Sequence, residues 1–132
     1  MAIVHVSQRD PEALIDFFPC DHHYSDQLSF RLTVRSAADC REQYRRSIIL
    51  VGAEAEYPEI EYGWIEPGSA VSHATVRSLY RVNQFLEKPA LPQARALLRN
   101  RCLWNTFVTM GTAATFLELL CSLVPVVVRS IT

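Results

Sequence analysis

The sequence predicts an α/β domain: a mixed, mostly parallel sheet with helices on its faces. Three observations predict it. Residues 13–18 and 47–52 form two nearly uninterrupted apolar runs, the composition of strands buried on both faces. Between them lies a stretch of helical periodicity that opens at Asp26 and reaches about Arg45. Strand, helix and strand in that order imply a crossover between parallel strands.

Length and composition narrow the class. A chain of 132 residues with 49% apolar content is at most one domain, long enough to bury a core. The formal charge of −1 gives no general reason to expect nucleic acid or an anionic membrane as a partner. Arg41, Arg45 and Arg46, and again Arg95, Arg99 and Arg101, cluster at helical spacing and read as solvated helix faces. Cys20, Cys40, Cys102 and Cys121 are widely spaced, with no Cys-x-x-Cys pair. With no signal-like N-terminus they read as free thiols in a reducing, cytoplasmic setting. A zinc site from Cys20, His22 and His23 has poor ligand spacing and no second cluster to complete it. The longest apolar run, residues 117–128, is broken by Glu118, Ser122 and Pro125, so no membrane span is expected.

Each element has its own signal. Residues 2–8 are short and mixed, readable as strand or helix, before the turn at Arg9-Asp10-Pro11. The helix after Asp26 takes Leu28, Leu32, Val34, Ala38 and Tyr44 as its apolar side, with Arg31, Arg35, Asp39 and Glu42 outward. Residues 53–61 form an acidic, turn-rich loop of solvated glutamates around Pro58. Residues 62–65 make a short strand, ended by Glu66-Pro67-Gly68. Residues 69–76 read as an exposed connection with a solvent-facing His73, and 76–86 as a returning strand with Val82, Phe85 and Leu86 as its candidates for burial. Pro92 in a first turn and Ala94, Leu97 and Leu98 on one side mark a helix over 91–101. Residues 102–110 are strand-like, and Gly111-Thr112 opens a last helix over 113–123.

The chemistry-bearing residues fall where strands end. Glu87 and Lys88 follow an apolar strand and are stopped by Pro89; Asp21 and His22 follow another strand, stopped by Pro19. In open α/β sheets, ligands bind beyond the carboxyl ends of strands. A lysine there suits a phosphate, and the plain alternative is a surface ion pair with Glu87. Asp21 suits a hard divalent cation or, more plainly, an Asx turn. Gly63, inside a strand, marks either a bulge or a close approach of a ligand to the backbone.

Four stretches taken in order carry a resemblance across residues 2–125. They are Phe17-Phe18-Pro19-Cys20-Asp21-His22-His23, Tyr62-Gly63-Trp64-Ile65, Phe85-Leu86-Glu87-Lys88-Pro89 and Leu103-Trp104-Asn105-Thr106. The chain resembles the sugar-1-phosphate nucleotidyltransferases, above all the mannose-1-phosphate guanylyltransferases. The resemblance implies a Rossmann-like domain. Its reaction joins GTP and mannose 1-phosphate to give GDP-mannose and pyrophosphate, with Mg²⁺ as the cofactor. It also implies roles: Asp21 for the metal, Lys88 for the sugar's phosphate, Glu87 for sugar hydroxyls, and Gly63 and Asn105 beside the sugar. It favours a helix for residues 2–8.

The departures are equally informative. The family's glycine-rich, arginine-containing loop has no match, because no Gly-Gly or Gly-x-Gly occurs among Gly52, Gly63, Gly68 and Gly111. The second metal carboxylate is also unmatched. Ile60-Glu61 stands where the family often has Thr and Gly, and Thr106-Phe107 follows Trp-Asn instead of Ser-Gly. Residues 1–132 are therefore expected to be a central, partial nucleotidyltransferase domain. It would carry the sugar-phosphate half of the site, place no catalytic residue of its own and be inactive alone. It is also expected to self-associate through uncovered apolar surface, or to be only marginally stable unless a partner covers that surface. The alternative is a catalytically silent relic or an interaction module on the same scaffold.

Overall fold

The computed structural model describes residues 2–71, 79–126 and 128. In chain order the elements are α1 (Ala2–Arg9), β1 (Leu14–Phe17), α2 (Gln27–Gln43), β2 (Ile49–Glu54), β3 (Gly63–Ala70), β4 (Tyr80–Glu87), α3 (Leu91–Arg99), β5 (Leu103–Thr112) and α4 (Ala113–Leu123). The α/β class holds. The expected connection over residues 69–76 is in part strand, and His73 lies outside the described residues.

The sense of the sheet departs from expectation. Its order is β1-β5-β3-β4, with β2 also pairing β5. The pairings β1–β5, β3–β4 and β3–β5 are all antiparallel. The β2–β5 pair follows suit, since a Cβ on Gly111 would meet Ile48 while one on Gly52 would meet Leu103, so the two strands number in opposite directions. β1 and β2 thus each take β5 as a partner and not one another; both run opposite to β5 and so share one direction, as the strand–helix–strand order implies, but no parallel ladder joins them. β3 and β4 are consecutive and closely connected, which suits an antiparallel return better than a crossover.

The chain forms two compact units: residues 1–49 with 109–132, and residues 50–108. In the first, α2 starts where Asp26 caps it, the carboxylate accepting the Ser29 N–H at 3.0 Å. A side-chain hydrogen bond from Ser29, and after it that backbone bond, hold the Asp26 carboxyl below its usual range. The inward side of α2 runs through Phe30, Val34, Ala37, Ala38, Cys40, Arg41 and Tyr44, with Cys40 buried, while Leu28 and Leu32 face solvent, 68% and 57% exposed. Val34, Ala38 and Tyr44 thus lie on the predicted side and Arg31, Arg35, Asp39 and Glu42 outward as predicted, and the departure is confined to Leu28 and Leu32. Two contacts hold the helix there: Phe30 stacks on Tyr24 with centroids 3.7 Å apart, and Arg41 pairs with Asp16 on β1. β1 is also more open than its apolar run implies, with Leu14, Phe17 and Phe18 exposed although Phe17 meets Phe116 edge-on at 5.2 Å. Thr112 caps α4 by accepting the Thr115 N–H, and both hydroxyls donate to the Arg45 carbonyl.

In the second unit, α3 lies against one face of β3 and β5. Trp64, Ala94, Leu97 and Cys102 form its buried core, with Leu86, Leu98 and Trp104 packed on it. Burial pushes the Cys102 thiol up from its usual range. β4 ends the strand order, and Val82 and Phe85 are half exposed, not buried as the sequence suggested. Their strand has one neighbour among the described residues, and α3 covers the face that holds Leu86.

Candidate functional site

Alternation along β3, β4 and β5 sorts the second unit's motif residues onto two faces. The register pairs Trp64 with Leu86 and with Trp104, and this row points into the core under α3. One residue along, Gly63 pairs with Glu87 on β4, and the same register sets it opposite Asn105 on β5. A Cβ on Gly63 would stand 3.5 Å from the Asn105 Cβ. Glu87, Gly63 and Asn105, drawn from three separate motifs, thus form one row across three strands, on the face opposite α3.

The middle of that row is crowded. A Cβ there would lie 2.8 Å from Glu87 Oε2 and 2.9 Å from Phe85 Cζ, so these side chains would have to move to admit one. Its φ is not positive, so the preference for glycine is a matter of space. No register shift falls at Gly63, which sets the bulge reading aside, and the groups that approach its backbone are the carboxylate and ring of its own neighbours.

Asn105 is nearly buried and held by its own loop, its Oδ1 accepting the Phe107 N–H at 3.1 Å. Phe107 sits at φ 60° and turns outward there, while Thr106 donates to the Val51 carbonyl at 2.6 Å. The strand therefore breaks its alternation just after Asn105, and two successive residues, Asn105 and Thr106, are buried.

Lys88 closes β4. Its φ of 43° lies in the left-handed region, although a residue before proline prefers extended backbone. Such a conformation costs on the order of 1–3 kcal/mol and persists only where the surroundings enforce it. Here the β4 ladder ends at Glu87 and Pro89 fixes the next φ. Lys88 Nζ lies 3.8 Å from Glu61 Oε2, both side chains being mostly exposed. An exposed pair of this kind is worth about 0–1 kcal/mol, so the ammonium remains open to exchange for another anion.

Asp21 belongs to the first unit, on the exposed loop after β1. Nearby, a shallow hollow of about 270 Å³ is lined by His22, His23, Tyr24, Gln27, Phe30 and Arg31. It contains none of the row residues. Among the described residues no group of three or more His, Cys, Asp or Glu side chains is gathered to hold a metal. A lone carboxylate still fits Mg²⁺ chemically, because that ion takes one or two carboxylates and completes its shell with phosphate and water.

Two side chains at the row escaped sequence reasoning. Phe85 was read as core, yet it lies two residues before Glu87 and shares its face; strict alternation would have found it. Glu61 was read as one more solvated glutamate, and nothing in its spacing pointed to Lys88. On the opposite face Trp104 meets Tyr57, Tyr62 and Trp64 edge-on, and its buried Nε1–H has no hydrogen-bond partner among the described residues. Tyr57 there has its hydroxyl pKa raised, first by desolvation and then by Tyr62 and the nearby glutamates.

Comparison with known proteins identifies the family. Residues 2–114 match the model of the nucleotidyl transferase family, and the chain belongs to that family. Within it, the chain is similar to mannose-1-phosphate guanylyltransferases. ManC of Salmonella typhimurium is 30% identical over 110 residues, which cover 83% of this chain and 22% of ManC. The Escherichia coli enzyme is 30% identical over 115 residues, 86% of this chain and 23% of its own length. The chain therefore spans less than a quarter of these relatives. A Thermus thermophilus crystal structure, described as a mannose-1-phosphate geranyltransferase, superposes with a TM-score of 0.79 at 25% identity, covering 92% of this chain and 34% of that one. One from Helicobacter pylori, described as a mannose-6-phosphate isomerase, shares the fold with a TM-score of 0.77.

Proposed function

We propose that this chain supplies the sugar-1-phosphate half of a mannose-1-phosphate guanylyltransferase site. The overall reaction has a mannose 1-phosphate oxygen attack the α-phosphorus of GTP, forming GDP-mannose as pyrophosphate leaves. The observation that carries the reading is the row Glu87–Gly63–Asn105 with Lys88 at its end. Glu87 accepts hydrogen bonds from sugar hydroxyls, Asn105 adds a rigid amide beside them, and the Lys88 ammonium meets the phosphate. Asp21 is the residue that would hold Mg²⁺, which when bound neutralises phosphate charge. The chemistry of two approaching polyanions needs such cations more than it needs a base, and the groups that would activate the α-phosphorus have no match here. The isolated chain accordingly binds the acceptor without turning it over.

Calorimetric titration with mannose 1-phosphate and Mg²⁺ tests the binding. Lys88→Ala should weaken it about tenfold or more, the loss of a charge-assisted contact of roughly 1.5–3 kcal/mol. Arg99→Ala, exposed at the end of α3, should change little. Equal losses would mean diffuse electrostatics and no site. Pyrophosphate release from GTP and mannose 1-phosphate by this chain alone would overturn the division of labour.

A further inference from the structure

The side of Glu87 and Gly63 also carries an aromatic ring that the proposed reaction has not used. Phe85 is 44% exposed. It pairs with Ile65 in the register that pairs Glu87 with Gly63, so Phe85 and Glu87 are alternate residues on one face. The tip of its ring reaches back over Gly63, with Cζ 2.9 Å from where a Cβ would stand. A flat apolar surface thus borders the Glu87 carboxylate, and the bare glycine lets the two lie side by side. A hexose ring has the matching surface: hydroxyls around its rim and a patch of C–H bonds on one face.

We propose that Phe85 is the platform on which the C–H face of the sugar rests, and that it gives the site its preference for a hexose phosphate over phosphate alone. This rests on reading the row as the sugar-phosphate site. Glu87 then holds the hydroxyl rim at the ring's edge, and Lys88, next in the chain, takes the phosphate at the end of the same strand. The ring is a positioning and specificity element, and it contributes nothing to charge. An exposed phenylalanine beside a carboxylate leaves apolar area in water until such a ligand covers it.

The test is calorimetry with two probes, mannose 1-phosphate and inorganic phosphate, on the wild type, Phe85→Leu, Phe85→Tyr and Lys88→Ala. Leucine keeps apolar volume but offers no flat face. Phe85→Leu should weaken mannose 1-phosphate roughly three- to tenfold and leave inorganic phosphate unchanged. Phe85→Tyr keeps the ring and should bind both probes like the wild type, which separates lost stacking from a disturbed fold. Lys88→Ala should weaken both. If Phe85→Leu holds mannose 1-phosphate as tightly as the wild type while Lys88→Ala loses it, the platform is wrong and the site reading stands. If Phe85→Leu loses both probes, the ring is structural and the proposal falls. A wild type that binds neither probe, or is indifferent to Lys88→Ala, removes the site reading and the platform together.

Discussion

Residues 50–108 and residues 1–49 with 109–132 each bury a set of apolar side chains, but they differ in what they leave in solvent. In the first group Trp64 and Ala94 are fully buried, with Leu97 and Cys102 beside them. In the other, Met110 and Ala113 are fully buried, while Leu28, Leu32, Leu119, Leu123 and Val126 are exposed on or beside helices. The large apolar groups that residues 50–108 expose are mostly aromatic: Tyr57, Tyr62, Tyr80, Phe85 and Phe107. Four of the five proposed site residues, Gly63, Glu87, Lys88 and Asn105, lie in that same unit. Exposed rings thus accompany the proposed site, while open aliphatic helix faces belong to the other unit.

The largest effect should come from breaking the core under α3. Trp64→Ala removes the biggest fully buried side chain among the described residues and should cost about 3–5 kcal/mol, read as a drop in urea midpoint. A loss below 1 kcal/mol would mean that the core under α3 is already loose.

A pair of glycines sharpens the contrast. Gly63→Ala places its methyl 2.8–2.9 Å from Glu87 Oε2 and Phe85 Cζ. Gly111→Ala, in the other unit, meets Phe116 Cε2 at 3.2 Å. The first should cost about 1–3 kcal/mol and displace the row, and the second should cost less, since a single aromatic edge can yield by a few tenths of an ångström. Thermal unfolding of both variants, with equal losses, would erase the difference in packing.

The smallest effect belongs to the open helix. Leu28→Gln with Leu32→Gln should change stability by less than about 0.5 kcal/mol, because both side chains already stand in water. We propose that this stripe drives self-association, so sedimentation should show the double variant less associated than the wild type. Unchanged sedimentation would place any association elsewhere.

The positions of elements were more legible than their partnerships. Asp26 as a cap, Pro92 in the first turn of α3 and the whole span of α4 follow from local chemistry, and local chemistry is written residue by residue. Strand partners are not written so. An apolar run such as Ile48–Val51 states that a strand is covered, and says nothing about which strand lies beside it or in which sense. β3 outran its expected end because register shifts at Glu66/Pro67 and Pro67/Ala70 let a proline stay in the strand. On α2, hydropathy places Val34, Ala38 and Tyr44 on the right side but Leu28 and Leu32 on the wrong one, because it cannot register partners such as Tyr24 for Phe30 or Asp16 for Arg41. Of the site, Gly63, Glu87 and Asn105 were legible as motif residues, but that they form a row became visible only with the register.

That row has a consequence for how the gene can change. Side chains on β3 alternate between core and site, so the indole of Trp64 and the bare backbone of Gly63 are separated by one codon triplet. Deleting Gly63 alone would slide every later residue of this strand to the opposite face. It would thrust an indole between Glu87 and Asn105 and leave a hole under α3. Point substitutions can wear this surface down by degrees, whereas this smallest in-frame deletion would end the fold and the site in one event.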